Sequence, residues 1–492
     1  MPPPLAALVY FGLALYLLRA DLQQRKASPA LWIPLAWMFV VGTRSLNAWL
    51  HIGAPADYGN PLDGSPIDRA FFIAVMVAGI AVLIRRRLSW GRLLASNGWI
   101  VLFFFLGAAS ATWSPYPLVS LRRLVKALGN ALMALIILTD QQPRAALSVV
   151  LGRLSILAFP LSILFIKYYP ELGRTYHMGM PMFTGISSHK NGLGQICLLG
   201  AVAASWNLLY QRKNVVAIGG RLRVPADVVL LVMAGWLLHM ANSATSTTCL
   251  ALALSLLGLG RLPAVARRPR RILLLVAASV LAFAVMDSLF SLRSTFLDAV
   301  GRDTNLTTRV PMWQDLMQKA EDPILGSGYE MFWETPGSRD VQSVYKVANA
   351  HNGYLEVYLN LGVVGLVLFV VGIIAAFPNV ARHLTLDLAP AMLRLVWLVV
   401  VPAYNWTEAA FRGADNLWML LMFAQIVLPQ ALAVRRRVSR PARATPGRIG
   451  WGSRRAGQER LASHDGARTG AASRVVDGQQ CSYRVRNRVH RL

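Results

Sequence analysis

The sequence has few charged residues and especially few acidic ones. Only 15% of its 492 residues are charged, and 23 Asp and Glu stand against 50 Lys and Arg. Hydrophobic residues make up 55% of the chain. A chain with so little charge and so much apolar surface cannot be mainly water-soluble, so the composition predicts a polytopic membrane protein.

Cysteine is also scarce, and the signatures of several enzyme classes are absent. Cys197, Cys249 and Cys481 lie far apart in the chain, which argues against a disulfide framework and a thiolate metal site. The sequence lacks an Asp-x-Asp pair, a His-Glu-x-x-His motif, a Walker glycine loop and a Gly-x-Ser-x-Gly elbow. We therefore predict no metal, no cofactor and no nucleotide hydrolysis by this chain.

Long apolar runs recur throughout the sequence. A transmembrane helix needs roughly 20 apolar residues, with fewer in short or tilted cases. The candidate spans lie near 4–18, 30–50, 70–84, 97–112, 121–138, 146–166, 193–210, 225–241, 247–260, 272–290, 353–377, 391–406 and 414–433. We therefore predict an all-α fold with about 12–13 transmembrane helices.

Basic residues are concentrated in alternate loops and in the C-terminal tail. This asymmetry marks the cytoplasmic side of a membrane protein, so the formal charge of +27 indicates topology and no nucleic-acid partner. It predicts an outer N-terminus and a cytoplasmic C-terminus. The opening segment MPPPLAALVYFGLALYLL lacks the charged region and cleavage site of a signal peptide, so we interpret it as a retained span.

Four regions follow from this pattern. Residues 1–290 hold the first ten spans, 291–352 form a large periplasmic loop, 353–434 hold the last spans, and 435–492 form a basic tail. The tail is predicted to be disordered and cytoplasmic, either simply solvated or in contact with anionic lipid or a partner. The loop is longer than ordinary connections, which favours a functional role.

The loop contains a short amphipathic helix preceded by arginines. Apolar residues recur at helical spacing between 310 and 320, and Pro323 follows. Arginines on the outer side run against the positive-inside trend, so they are candidates for substrate binding, with anchoring to lipid headgroups as the alternative. These outer arginines are Arg122, Arg123, Arg174, Arg302 and Arg309.

His351 closes the loop, within VANAHNGYLEVYLNLGVVGL at 347–366. Histidine serves as a base near neutral pH, although an interfacial histidine in an aromatic belt has the same local pattern. On the helix predicted to begin there, Tyr354 and Tyr358 share its face. Gly362 and Gly365 are predicted to form a small-residue strip for helix packing.

A second polar group precedes the predicted span at 193–210. His189 and Lys190 are candidates for binding a polar ligand, and marking the headgroup interface is the alternative. Nearby Ser and Thr residues at 243–247 fit hydrogen bonding to a ligand or to neighbouring helices, and helix packing is the better-supported role.

Several segments, in the same order, resemble the O-antigen ligase and polymerase superfamily. GRDTNLTTR followed by a Trp, then DPILGSGYEMFW and AHNGYLEVYLNLGVVGL, resemble its large periplasmic loop and the next span. SSHKNGLGQ at 187–195 is similar to the HKN-x-x-G element of the exopolysaccharide-polymerase branch, which adds Asn191 to the candidates. WSPYPLVSLRRLVKALGNALMALI and NSATSTTCLALAL are similar to two further family segments, so the resemblance covers roughly residues 95–430.

The resemblance implies a multi-pass glycosyltransferase of the bacterial inner membrane. Its donor would be an undecaprenyl-diphosphate-linked glycan, its acceptor a second glycan, and its surroundings membrane lipid, with a chain-length regulator or export proteins as candidate partners. Arg309 and His351 match the family's loop arginine and histidine, and Arg122 or Arg123 matches an earlier arginine. Thr308 stands where the family often has glycine.

On this reading, arginine binds the diphosphate and His351 is the general base. Polymerisation of repeat units into exopolysaccharide or O-antigen is the leading function. Two alternatives stay open, namely ligation of finished glycan to lipid A core, and transport of the lipid-linked glycan by a protein of another class.

The absent metal motifs predict a metal-independent, inverting glycosyl transfer. Purified protein should therefore keep its activity when a chelator is added, because arginine neutralises the leaving diphosphate. The measurement is glycan product formed with and without chelator. Loss of activity with chelator and recovery with Mg²⁺ would show the prediction to be wrong.

Overall fold

The structure, a computed structural model, describes residues 1–24, 27–50, 65–177, 179–211, 215–218, 222–278 and 309–429. Helices dominate these residues, as a membrane requires, because a helix satisfies its own backbone hydrogen bonds in lipid. The helices are α1 (Pro3–Gln24), α2 (Trp32–Gly42), α3 (Leu46–Leu50), α4 (Pro66–Arg85), α5 (Trp90–Ser96), α6 (Gly98–Ala109), α7 (Pro117–Leu138), α8 (Ala146–Tyr168), α9 (Pro170–Gly173), α10 (Lys190–Tyr210), α11 (Ala226–Ala241), α12 (Ala244–Leu259), α13 (Pro263–Ala266), α14 (Arg309–Gln318), α15 (Pro336–Tyr345), α16 (Gly353–Leu386), α17 (Leu388–Tyr404) and α18 (Asn416–Gln425).

Strands are confined to two short hairpins in the described part of the chain. β1 (Arg174–His177) pairs antiparallel with β2 (Met180–Phe183), and Arg174 lies opposite Phe183. β3 (Val215–Ile218) pairs in the same way with β4 (Leu222–Pro225). The hairpins join helices and build no sheet core, so the predicted all-α class is confirmed.

Several helices of the described residues meet the requirements for crossing a membrane. Five are long and apolar enough, namely α1, α4, α8, α10 and α16, and the bent pair formed by α5 with 98–112 makes a sixth candidate. Four other apolar helices are shorter, namely α2 with the turn before it, α11, α12 and α17. These helices confirm a multi-pass membrane protein.

The predicted spans can be compared with these helices one by one. Each coincides with a helix except 272–290, most of which lies outside the described residues. The predicted span at 30–50 is divided between α2 and α3, and α18 ends at Gln425, short of the predicted 433. The segment 291–308 and the tail also lie outside the described residues, so the predicted domain boundaries stay predictions.

Burial places α8 and α10 at the centre of the bundle. In their most apolar stretches, 83% and 89% of residues are buried, against 22% in α1 and 11% in α4. Helix α10 packs against α8, α11 and α12, and Trp206 donates a 2.8 Å hydrogen bond to the Ala389 carbonyl of α17. Helix α10, including the first residues after its N-terminus, is therefore surrounded by other helices of the bundle.

The large loop has a small hydrophobic core of its own. The predicted amphipathic helix is confirmed as α14, on which Met312 and Leu316 are buried while Val310 and Met317 are exposed. The other members of this core are Phe332, Val341, Ala350 and Leu359. Because Leu359 belongs to α16, the loop is packed directly onto the helix that follows it.

Helix α16 is interrupted at Gly362, whose φ of 62° lies in the left-handed region. Below the break, the amides of Val363 and Val364 donate to the carbonyls of Pro323 and Ile324, at 2.9 and 3.2 Å. Above it, two carbonyls of α16 accept from loop amides: Leu359 from Ser327 at 3.2 Å and Asn360 from Gly328 at 2.9 Å. The loop thus replaces the hydrogen bonds that the break removes.

The predicted role of Gly362 in helix–helix packing was therefore wrong. A strip of small residues was expected to let another helix approach, whereas a Cβ on Gly362 would collide with the Ile324 carbonyl of the loop. The close approach is between a helix backbone and a loop backbone, which the spacing of the two glycines does not distinguish.

Gly362→Ala should strongly destabilise the protein, because the side chain adds backbone strain of about 1–3 kcal/mol and displaces the loop. The matched control is Gly372→Ala in the same helix, where the nearest atom to a new Cβ is 3.7 Å away. Thermal unfolding in detergent, followed by gel filtration, measures both variants. Equal unfolding temperatures for the two variants would contradict this account of the break.

Candidate functional site

Three of the predicted site residues meet at one carboxylate, Glu408, in the segment between α17 and α18. Asn191 donates from Nδ2 to Glu408 Oε1 at 2.9 Å, and Arg309 Nη2 lies 3.7 Å from the same oxygen. His351 Nδ1 lies 3.4 Å from Glu408 Oε2. The Glu408 side chain is only 14% exposed, so its charge is compensated by protein groups more than by water.

The backbone around His351 is tightly held. His351 has a left-handed φ of 49°, which a non-glycine residue adopts at a cost of about 1–3 kcal/mol. Asn352 caps α16 by accepting from the amides of Tyr354 and Leu355. The Gly353 amide donates to the carbonyls of Asn405 at 2.8 Å and Glu408 at 3.0 Å. The strained residue is thus fixed against the segment that carries Glu408.

A buried carboxylate fixes the residue before His351. Glu356 accepts from the Ala350 amide at 2.7 Å and from Trp333 Nε1 at 3.0 Å. Trp313 Nε1 donates to the Ala350 carbonyl at 2.7 Å. Both backbone polar groups of Ala350 are therefore bonded, which connects helix α14 and the rest of the loop to the position of His351.

Arg309 begins α14 and reaches across to the Glu408 segment. Its Nη1 donates to the Thr407 carbonyl at 2.7 Å. Desolvation lowers the pKa of the guanidinium, and the charge of Glu408 opposes that shift. A guanidinium has five N–H donors, so these contacts leave donor capacity for an anion.

A polar cavity of about 300 Å³ lies beside Glu408. Its wall combines the end of α2, the start of α10 and the segment 404–415. The polar side chains on that wall are Thr43, Ser188, His189, Asn191, Gln195, Asn349, Tyr404, Glu408, Arg412 and Asp415. Two of these groups are carboxylates and one is a guanidinium.

Two of the cavity's side chains cap helices. His189 caps α10 by accepting from the Gly192 amide at Nδ1, at 3.1 Å. Asp415 caps α18 by accepting from the Leu417 amide at 2.7 Å. Gln195 Nε2 donates to both Asp415 oxygens, at 3.2 and 3.3 Å. These contacts fix the cavity wall through the two helix termini.

Desolvation shifts the pKa values of both capping groups towards their neutral forms. It lowers the pKa of His189, although Glu408 partly opposes the shift. It raises the pKa of Asp415, which precedes α18, to about 6, against hydrogen bonds from Leu417 and Gln195 that lower it. His189 is therefore neutral at pH 7.

The remaining predicted arginines lie apart from the cavity lining. Arg123 on α7 donates to the Glu330 carbonyl and forms a 2.6 Å ion pair with Glu334, so it joins α7 to the large loop. Arg174 donates to the Ile166 carbonyl at 3.1 and 2.8 Å, which caps the end of α8. Both are engaged in structural contacts.

Three further predicted residues have different positions. Arg122 is exposed on α7, and Lys190 is the half-buried first residue of α10. Arg302 lies outside the described residues. None of these predicted substrate-binding roles is tested by their placement. In the described part of the chain, no three His, Cys, Asp or Glu side chains are grouped as metal ligands.

The sequence analysis missed Glu408, Arg412, Asp415 and Gln195. A signal existed in NWTEAAFRGAD at 405–415, where charged residues separate two apolar runs. The loop parity that selected the other outer arginines predicts the outer side for Arg412 as well. The segment 405–415 is short and has no periodic pattern. The place of Glu408 in the site depends on contacts with Asn191, Arg309 and His351.

Two comparisons with known proteins bear on this site. Residues 228–370 match the family model described as O-antigen ligase, a range that includes Arg309 and His351. The exopolysaccharide production protein ExoQ of Rhizobium meliloti (strain 1021) is 29% identical over 299 residues, or 58% of this chain. The match spans 65% of the length of that relative.

The family model includes the loop motifs and the first part of the helix that follows them. The relative is described as an exopolysaccharide production protein, and the HKN element predicts the exopolysaccharide-polymerase branch for this chain. The resemblance to the O-antigen ligase/polymerase-like family that was inferred from the sequence is thereby confirmed.

Proposed function

We propose that this protein is a membrane glycosyltransferase that polymerises undecaprenyl-diphosphate-linked repeat units into exopolysaccharide or O-antigen. The reaction takes place at the periplasmic face of the bacterial inner membrane. The family match supports glycosyl transfer, and the similarity to an exopolysaccharide production protein supports the polymer. The polar site near the ends of α10 and α16 supports chemistry at one membrane face.

The observation that carries the proposal is the meeting of His351, Arg309 and Asn191 at Glu408. The three residues come from three segments that are distant in the chain. A base, a diphosphate ligand and a polar cavity within one site are what glycosyl transfer from a lipid diphosphate requires.

His351 acts as the general base. With Nδ1–H directed at Glu408, its Nε2 keeps the lone pair that accepts the proton of the acceptor hydroxyl. The hydroxyl oxygen then forms a bond to the anomeric carbon, and the bond from that carbon to the phosphate oxygen breaks. Glu408 is a positioning residue, which selects the tautomer and stabilises the imidazolium.

Arg309 binds the diphosphate and stabilises it as it leaves. The electron pair of the broken bond stays on the phosphate oxygen, so negative charge grows there and no proton is needed. A planar guanidinium donates two parallel hydrogen bonds to phosphate oxygens, and the partly desolvated setting strengthens them. The unshared donors of Arg309 are available for this contact.

Ligation to lipid A core is a second candidate, because the matched family model is described as O-antigen ligase. Transport of the lipid-linked glycan is less well supported. Transporters use broken helices whose exposed termini bind substrate, and α16 is broken at Gly362. Here, however, the groups at the break are bonded to the loop backbone at 323–328.

Deletion of the gene separates polymerase from ligase. Without a polymerase, single repeat units should accumulate on the lipid, because each unit is made but not joined. Without a ligase, long lipid-linked chains should accumulate. Mass spectrometry of the lipid-linked glycans gives the answer, and normal glycan chains in the deletion strain would contradict both functions.

The two proposed roles predict different losses in complemented strains. His351→Ala should reduce chain growth by about 10²–10⁴-fold, because a general base is removed. Arg309→Lys should rescue poorly, since an ammonium lacks the bidentate fork. His239→Ala, at an exposed histidine of α11, is the matched control and should leave chain growth unchanged.

Chain length is measured on gels, and membrane insertion of each variant by immunoblotting of membranes. If the His351→Ala protein is inserted in the membrane and the glycan chains have normal length, His351 is not the general base. Full activity with Arg309→Lys would show that a point charge is enough at that position.

A further inference from the structure

The cavity beside Glu408 has the wrong charge for a diphosphate. Its wall holds two carboxylates, Glu408 and Asp415, and one guanidinium, Arg412. Arg412 also donates to the Ala348 carbonyl at 3.1 Å. A diphosphate carries at least two negative charges and would face both carboxylates with Arg412 as the one cation on the wall, so this wall favours a neutral ligand. Arg309, the proposed diphosphate ligand, is not on the cavity wall.

His189 offers a neutral donor to the cavity. Its Nδ1 accepts from the Gly192 amide and so carries no proton, which places the proton of the neutral ring on Nε2. His351 has the opposite arrangement, with Nδ1 facing Glu408. One histidine therefore presents a donor and the other a base, although both lie near the same carboxylate.

Gln195 and Asp415 offer hydrogen-bonding groups of both kinds. Gln195 uses Nε2 on Asp415, which leaves its amide oxygen as an acceptor. The Asp415 carboxylate has about four acceptor sites, and it accepts from the Leu417 and Trp418 amides and from Gln195. Hydroxyl groups of a sugar both donate and accept, so they complement this wall.

The volume limits what can bind. A cavity of about 300 Å³ equals roughly ten water molecules at about 30 Å³ each. That space accommodates one sugar ring and excludes a complete oligosaccharide repeat unit. Pockets of this size are at the small end of the range for specific ligands.

We propose that this cavity binds the terminal sugar of the acceptor chain as one neutral ring, held by His189 Nε2–H, Gln195 and the Asp415 carboxylate. This assignment rests on the proposed function. It adds that the site has a donor side and an acceptor side. Donor diphosphate lies on the Arg309 side of Glu408, and the acceptor sugar lies on the Asp415 side. Glu408 separates the two and holds the base between them.

Saturation-transfer NMR on the purified full-length protein in detergent tests the cavity directly. The probes are methyl glycosides of glucose, galactose and mannose, with inorganic pyrophosphate as the anionic competitor. We expect at least one glycoside to receive saturation from wild-type protein, and pyrophosphate not to displace it. Absence of transfer to all three glycosides, or displacement by pyrophosphate, would overturn the proposal.

Two substitutions keep the helix caps and change only the cavity. His189→Ser keeps an acceptor for the α10 amide and removes Nε2–H, and Asp415→Asn keeps an acceptor for the α18 amide. Each should weaken glycoside binding by at least about tenfold, as expected for a lost hydrogen bond to a charged or buried partner. His239→Ser, on α11, is the matched control and should bind as wild type does.

Arg309→Lys should leave glycoside binding unchanged, which separates the two sides of Glu408. Unchanged binding in His189→Ser and Asp415→Asn would show that the sugar lies elsewhere. The binding assay needs no polymerisation, so its result is independent of the deletion experiment. Sugar binding together with normal glycan in the deletion strain would contradict only the proposed function. Altered glycan in the deletion strain without sugar binding would contradict only this cavity assignment.

Discussion

A single carboxylate, Glu408, holds the site together. A partly buried carboxylate is costly unless charged or polar groups surround it, and here Asn191, Arg309 and His351 supply those groups. They come from the start of a central helix, the start of a loop helix and the end of the loop. Satisfying one charge therefore brings three distant segments to one place, and each is needed for the proposed chemistry.

The large loop is joined to the membrane helices by its backbone as much as by its side chains. The break at Gly362 leaves carbonyls and amides that lipid cannot satisfy, and residues 323–328 satisfy them. Glu356 and the two loop tryptophans then hold Ala350 beside His351. The strained conformation of His351 persists because these contacts over-determine it.

Predictions from the sequence succeeded where the signal is local or shared with known proteins. Apolar runs predicted helices, the spacing at 310–320 predicted α14, and ordered motifs predicted the family. They did not reveal which groups the side chains contact. Arg123 and Arg174 were predicted as substrate ligands, and that role stays a prediction; the structure adds contacts of their guanidinium groups with Glu334 and with the Ile166 carbonyl.

The sequence by itself determined the membrane class, the helical fold and the family resemblance, because apolar periodicity and short motifs depend only on neighbouring residues. The tertiary structure alone decided that Glu408 joins His351 to Arg309 and that Gly362 meets a loop. Each of these depends on a hydrogen bond or a close approach between segments far apart in the chain. Such contacts leave no periodic trace in the sequence, since geometry and not spacing creates them.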